Sequence, residues 1–165
     1  MKTLLLLRHA KSSWKEAGLG DHERPLNKRG RRNAPQIGQL IDEKKLWPDL
    51  ILSSTAVRAM STAEAVAATW HKEVPIAPQD ELYLAPSAAY IETVRYLDNG
   101  FERILLVGHN PGITELLCQL TGLDEVMPTA ALAQIELPID HWDQLRLQTS
   151  GRLIDFWRPR ELGGV

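Results

Sequence analysis

Four short segments of this chain carry side chains suited to chemistry: Arg8-His9, Asp21-His22-Glu23-Arg24, Ser53-Ser54-Thr55 with Arg58, and Gly108-His109-Asn110-Pro111-Gly112. His9 and His109 come with Arg8, Arg24 and Arg58, a set that suits a phosphoryl group. Arginine presents a planar fork of donors that matches phosphate oxygens two at a time. Phosphoryl transfer asks mostly for positioning and charge neutralisation. Histidine is a competent nucleophile when neutral, with one ring nitrogen free and the other N–H held by an acceptor. Neighbouring guanidinium charges disfavour protonation of such a ring.

Taken singly, each segment has a plain alternative: a surface pair, a solvated arginine, a packing histidine, an exposed loop charge. Placement raises them above that. Arg58 falls in the first turn of a predicted helix, where the helix dipole disfavours a cation. An anion seated between the two accounts for it, since helix N-termini bind anions. Gly108 and Gly112 flank His109 and permit close backbone approach to a ligand.

These side chains must be positioned by strand ends. Thr3–Leu7, Asp49–Leu52 and Arg103–Val107 read as buried strands, and each stops at polar residues: Arg8-His9, Ser53-Ser54 and Gly108-His109. In open parallel sheets ligands bind at the carboxyl ends of strands. Three parallel neighbours would bring the three tails to one site. Helical patterns alternate with these runs, the signature of an α/β chain. They cover Leu26–Leu46, Ala56–Trp70, Ser87–Leu97 and Pro111–Leu120. Pro35 leaves two starts open for the first: Asn33 as cap, or an earlier helix kinked at the proline. Asn110 is the expected cap of the fourth, with Pro111 at its first position. Beyond Pro128, strands are expected at Ala131–Leu137, Leu145–Thr149 and Arg152–Trp157, with Ser150-Gly151 as a hairpin turn. Gly18–Arg24 is the most loop-like stretch.

At 165 residues the chain suits one domain, 1–165, with one substantial core. The formal net charge of -2 gives no global attraction to nucleic acid or an anionic membrane. The single cysteine, Cys118, cannot form an internal disulfide, which fits a reducing cytoplasm. Its apolar surroundings read as a buried core thiol. Leu4–Leu7 is too short for a signal-peptide core, and no run approaches the ~20 apolar residues of a membrane span. His9, His22, His71, His109 and His141 lack metal-ligand spacing, so no metal is expected. His71 and His141 read as surface residues.

The ordered motifs Arg8-His9-Ala10-Lys11, Arg24-Pro25-Leu26-Asn27 with Arg29-Gly30, Ser53-Ser54 with Arg58-Ala59 and Thr62-Ala63-Glu64, and Gly108-His109-Asn110-Pro111-Gly112 resemble the histidine phosphatase superfamily. The short length resembles its SixA-like phosphohistidine phosphatases, and the resemblance runs from Met1 to about Leu137. It implies a three-layer α/β/α sandwich with a mainly parallel sheet, the phosphoglycerate mutase-like fold, and no metal or organic cofactor. It implies that His9 is phosphorylated and that Arg8, Arg58 and His109 hold the phosphoryl group, joined by Arg24. A carboxylate acts as general acid in larger members. Glu81 and Asp21 are the candidates here, beside ordinary solvated roles for both. Larger, mutase-like members also carry insertions that roof the site, for which this chain has little room. The implied partner is a phosphorylated phosphotransfer or phosphocarrier protein. The alternatives are a small phosphate ester, mutase chemistry, or non-catalytic binding of phosphoproteins. Phosphate or sulfate should fit the site, and Trp14 stands in the loop after His9, at its entrance or simply in the core or on the surface.

Overall fold

A computed structural model describes residues 1–162. Leu4 to Leu7 are wholly buried, and their alternation places Leu4 and Leu6 in one core and Leu5 and Leu7 in another. A strand covered on both faces buries such a continuous apolar run. This is β1 (Lys2–Arg8). The chain continues through α1 (Lys28–Glu43), β2 (Leu50–Ser54), α2 (Val57–Ala67), β3 (Ile76–Gln79) and α3 (Ser87–Arg95). It ends with β4 (Arg103–Gly108), α4 (Gly112–Thr121), β5 (Leu132–Leu137) and β6 (Arg152–Trp157). The six strands form one sheet in the order β3-β2-β4-β1-β5-β6.

Strands β3, β2, β4 and β1 are parallel, and β5 is antiparallel to β1 and β6. Leu5, Ile51 and Leu105 pack with α1 and α2, while Leu4, Leu52 and Leu106 pack with α3 and α4. The result is the expected three-layer α/β/α sandwich. Arg8 pairs with Gly108, and Ser53 with Val107, so the ends of β1, β4 and β2 lie side by side. That alignment carries the site.

Several local expectations are corrected. Helix α1 starts at Lys28, capped by Asn27, whose side-chain oxygen accepts the Gly30 N–H at 2.9 Å. It runs through Pro35, so Asn33 is not the cap. Asn110 does not cap α4: its amide donates to the Met127 carbonyl and its oxygen accepts from Thr114. Leu145–Thr149 is not a strand. Arg146 and Thr149 close a local turn, Thr149 Oγ1 accepting the Arg146 N–H, which competes with a ladder. Without that strand Ser150-Gly151 turns no hairpin, and β6 pairs with β5 instead. Gly151 donates its N–H to Leu120 and packs closely against Ile135. Strand β3 escapes the sequence pattern because Pro78 interrupts it, and a sheet edge is where a strand proline is tolerated. Within Gly18–Arg24 a 3-10 turn spans Asp21–Glu23. Cys118 is half-buried rather than buried, because it lies beside the apolar face formed by Leu116, Leu117 and Leu120. His71 and His141 are exposed, as expected.

Candidate active site

His9 follows the last residue of β1 and is 7% exposed. Its Nδ1 lies 2.7 Å from the Ala10 carbonyl oxygen. A carbonyl only accepts, so Nδ1 carries the proton and Nε2 keeps its lone pair. Burial, opposed by the Ala10 carbonyl and reinforced by Arg58, Arg8 and Arg24, pushes the His9 pKa down to about 4. The ring is therefore neutral at pH 7, as a nucleophile requires.

The Ala10 carbonyl is itself held in place. The Ala10 N–H donates to Thr62 Oγ1 at 2.9 Å, and that hydroxyl donates to the Arg58 carbonyl at 2.7 Å. Thr62 is one turn beyond Arg58 on α2, and both are buried. One hydroxyl thus ties the loop after β1 to the first turn of α2.

His109 follows β4, 1% exposed, with its ring centroid 5.0 Å from that of His9. Its Nε2 lies 2.7 Å from Ser54 Oγ, at the end of β2. Ser54 Oγ already accepts the Ala56 N–H and has its own proton to give Nε2. With the Ser54 hydroxyl donating to Nε2, the His109 proton lies on Nδ1, a buried atom with no protein partner. Burial first, then His9 and Arg58, push its pKa down to about 3, against the pull of Asp21. Arg8 donates through Nη1 to the Met127 carbonyl at 2.9 Å, while its Nε is buried without a partner. Buried polar atoms are rarely left unpaired. Two such donors beside the neutral ring of His9 suit the oxygens of a phosphoryl group.

Arg24 and Arg58 converge on Asp21. Arg24 Nη1 donates to Asp21 Oδ1 at 2.9 Å, and Arg58 donates to Asp21 Oδ2 at 3.0 Å and to its main-chain oxygen at 2.7 Å. Arg24 also donates to the Ser13 carbonyl and to Ser12 Oγ. Tyr83 donates its hydroxyl to Asp21 Oδ2. The Tyr83 hydroxyl, with further donation from Arg24 and Arg58, holds the Asp21 carboxyl well below the usual carboxylate range, although partial burial opposes this. Asp21 is therefore ionised at neutral pH.

The structure thus brings together His9, Arg8, Arg58, His109, Arg24 and Asp21. Glu81 is exposed in the 3-10 turn Asp80–Leu82 and makes no hydrogen bond to the cluster. Trp14 is 74% exposed and stacks on Arg24, guanidinium carbon 3.3 Å from the ring centroid. Three participants escaped the sequence reading: Tyr83, Ser54 as partner of His109, and Thr62 as a tie. Thr62 was accessible in principle, four residues after Arg58 on one helix face. Tyr83 had no such signal. Its ring meets His109 edge-on, centroids 5.6 Å apart. Gly108 and Gly112 make room for protein rather than ligand: a Cβ at either would strike Tyr90 or the Ala85 carbonyl. Among the described residues, no group of three or more His, Cys, Asp or Glu is placed to hold a metal ion. No helix among them is long and apolar enough to cross a membrane.

Comparison with known proteins shows which chains this one is similar to. The family model for the histidine phosphatase superfamily (branch 1) matches residues 4–83. An uncharacterised protein of Mycobacterium tuberculosis is 30% identical over 165 residues, covering 93% of this chain and 100% of that one. A solved structure from Agrobacterium tumefaciens, provisionally assigned as the phosphohistidine phosphatase SixA, is 33% identical with a TM-score of 0.82, covering 96% of this chain and 98% of that one. A second provisionally assigned SixA, from Nakamurella multipartitia, is 27% identical with a TM-score of 0.81, covering 96% of both chains.

Proposed function

The chain belongs to the histidine phosphatase superfamily, and from that membership and its site we propose that it hydrolyses phosphohistidine on phosphotransfer or phosphocarrier proteins through a phosphorylated His9. The observation that carries the chemistry is the Nδ1–H of His9 on the Ala10 carbonyl, which frees Nε2 among three arginines. Nε2 attacks phosphorus as the bond from phosphorus to the substrate imidazole breaks. The departing imidazole takes up a proton from solvent, and a new N–P bond joins phosphate to His9. Water then attacks phosphorus, the N–P bond breaks, and inorganic phosphate leaves with His9 restored. Arg8, Arg24, Arg58 and the His109 Nδ1–H offset the charge of the transferring group.

An ionised Asp21 has no proton to give, and Glu81 stands apart in solvent. That suits a phosphoramidate, whose imidazole leaves more readily than an alkoxide. Short connections support a protein-borne substrate: Thr55 and Ala56 alone join β2 to α2, and His109–Pro111 alone join β4 to α4. The likeness to the assigned SixA structure from Agrobacterium over nearly its whole length points the same way.

The test is phosphate release from a histidine-phosphorylated carrier protein and from an aryl phosphate, with wild type beside His9→Ala. Release from the phosphoprotein, faster than from the ester and abolished in His9→Ala, is the expected result. Ester turnover alone would reassign the chain to small phosphate esters. Turnover of neither by folded protein would leave phosphoprotein binding as its role.

A further inference from the structure

The carboxylate of Asp21 stands where a catalytic carboxylic acid has no use, yet three side chains are spent on holding it. Arg24 and Arg58 take one oxygen each, at 2.9 and 3.0 Å, and the Tyr83 hydroxyl closes on the second. Arg58 also holds the Asp21 main chain. The side chain of Asp21 is 40% exposed, so it stands at the mouth, between two nearly buried guanidinium groups and solvent. A simple ion pair has one cationic partner. This carboxylate has two, and both are phosphoryl-binding candidates.

The charge of the site follows. Arg8, Arg24 and Arg58 contribute three positive charges, while burial keeps His9 and His109 neutral at pH 7. Asp21 removes one, leaving an excess of two. A phosphoryl group on a neutral carrier brings two negative charges when fully ionised. A phosphate ester with a further carboxylate or phosphate brings three or more, and its extra charge meets Asp21 at the rim.

Resting on the reading of His9 as the phosphoryl acceptor, we propose that Asp21 is a specificity residue that matches the site to a phosphoryl dianion on an uncharged carrier, such as an imidazole, and disfavours phosphate compounds bearing a further anionic group. Tyr83 is the positioning residue that keeps the carboxylate turned inward. Lys15, Glu16 and Glu23 around the loop are exposed, where solvent and salt screen them. The discrimination expected from Asp21 is about tenfold per extra ligand charge, the factor for unit charges about 6 Å apart at an effective dielectric near 40.

The experiment titrates orthophosphate and pyrophosphate calorimetrically into wild type, Asp21→Asn and Asp21→Glu at pH 8 and low, fixed ionic strength. Aryl phosphate turnover is measured in parallel. The proposal expects Asp21→Asn to shift the affinity ratio toward pyrophosphate by about tenfold, with Asp21→Glu staying near wild type. A ratio unchanged in Asp21→Asn, with both anions weakened alike, would reduce Asp21 to a brace for the arginines and overturn the proposal. Equal shifts in Asp21→Asn and Asp21→Glu would overturn it too, because geometry rather than charge would then be responsible. Failure of wild type to bind either anion would dismiss the site and the proposal together. A shifted ratio without any turnover would sustain Asp21's role and sink the catalytic reading alone.

Discussion

Thr62→Val separates a tie from ordinary packing. Valine has nearly the same shape as threonine, and Thr62 is fully buried, so the substitution leaves no cavity. It does remove the acceptor of the Ala10 N–H, in a place where Ala10 is also fully buried. The Arg58 carbonyl loses only an extra bond from the Thr62 hydroxyl, since a helix offers it a backbone N–H one turn on. The cost is therefore that of one orphaned buried donor, about 1–3 kcal/mol. For a chain of this size that lowers the melting temperature by roughly 2 to 12 °C. Function suffers separately, because the Ala10 carbonyl fixes the Nδ1–H of His9. Loss of its anchor misorients Nε2, and kcat should fall about ten- to hundredfold with KM changing far less. Thr62→Ser keeps the hydroxyl and should keep kcat near wild type. Calorimetry and steady-state kinetics on an aryl phosphate read both effects. A Thr62→Val protein with wild-type melting temperature and kcat would refute the argued link between α2 and the nucleophile.

Two further outcomes rest on the histidines. His9 titrates at about 4 in the fold against roughly 6.5 when unfolded, so the unfolded chain binds more protons between those values. Stability from this group is full above pH 6.5 and is lost as pH falls toward 4, by about 2 kcal/mol at pH 5. Urea unfolding at pH 7 and pH 5 should show that loss and show it reduced in His9→Gln; an equal loss in both would contradict the neutral, buried ring. Ser54→Ala removes the group that pins His109 Nε2 and should slow turnover about tenfold, the order of one lost buried hydrogen bond. Nitrogen NMR of the His109 ring should show the Nδ1–H population falling in the variant, and an unchanged ring would leave Ser54 without this role.

The sheet centre and the cluster at its strand ends were legible because each is signalled by adjacent residues. A wholly apolar run followed by Arg8-His9, and another followed by Gly108-His109, announces both strand and site in a few positions. Parallel pairing of β1, β4 and β2 then follows from topology, and the tails meet without further information. What escaped depends on distance in sequence. Tyr83 reaches Asp21 across 62 positions and Ser54 reaches His109 across 55, and neither residue carries a local mark. The missed edge strand β3 and the imagined strand at Leu145–Thr149 share one cause. In each a single residue misleads: Pro78 sits within a ladder that the sheet edge tolerates, and Thr149 closes a turn within an apolar pattern.

The arginines of this site do two things at once, and the two are linked by burial. Placed against a solvated histidine they would bind an anion while barely altering the ring, because water screens their charge. Here His9, Arg24 and Arg58 are all under a tenth exposed, and the desolvation that lowers the His9 pKa also strengthens each guanidinium's hold on whatever anion is present. Such a pocket would bind small anions indiscriminately unless its charge were trimmed. Asp21 trims it from the rim, where it is exposed enough to be ionised cheaply and close enough to bridge both arginines. A carboxylate deeper in the site would raise the pKa of His9 and compete with the phosphoryl group directly. One further out would be screened. The position at the mouth is therefore the one from which a single acidic residue can act on ligand choice while leaving His9 neutral.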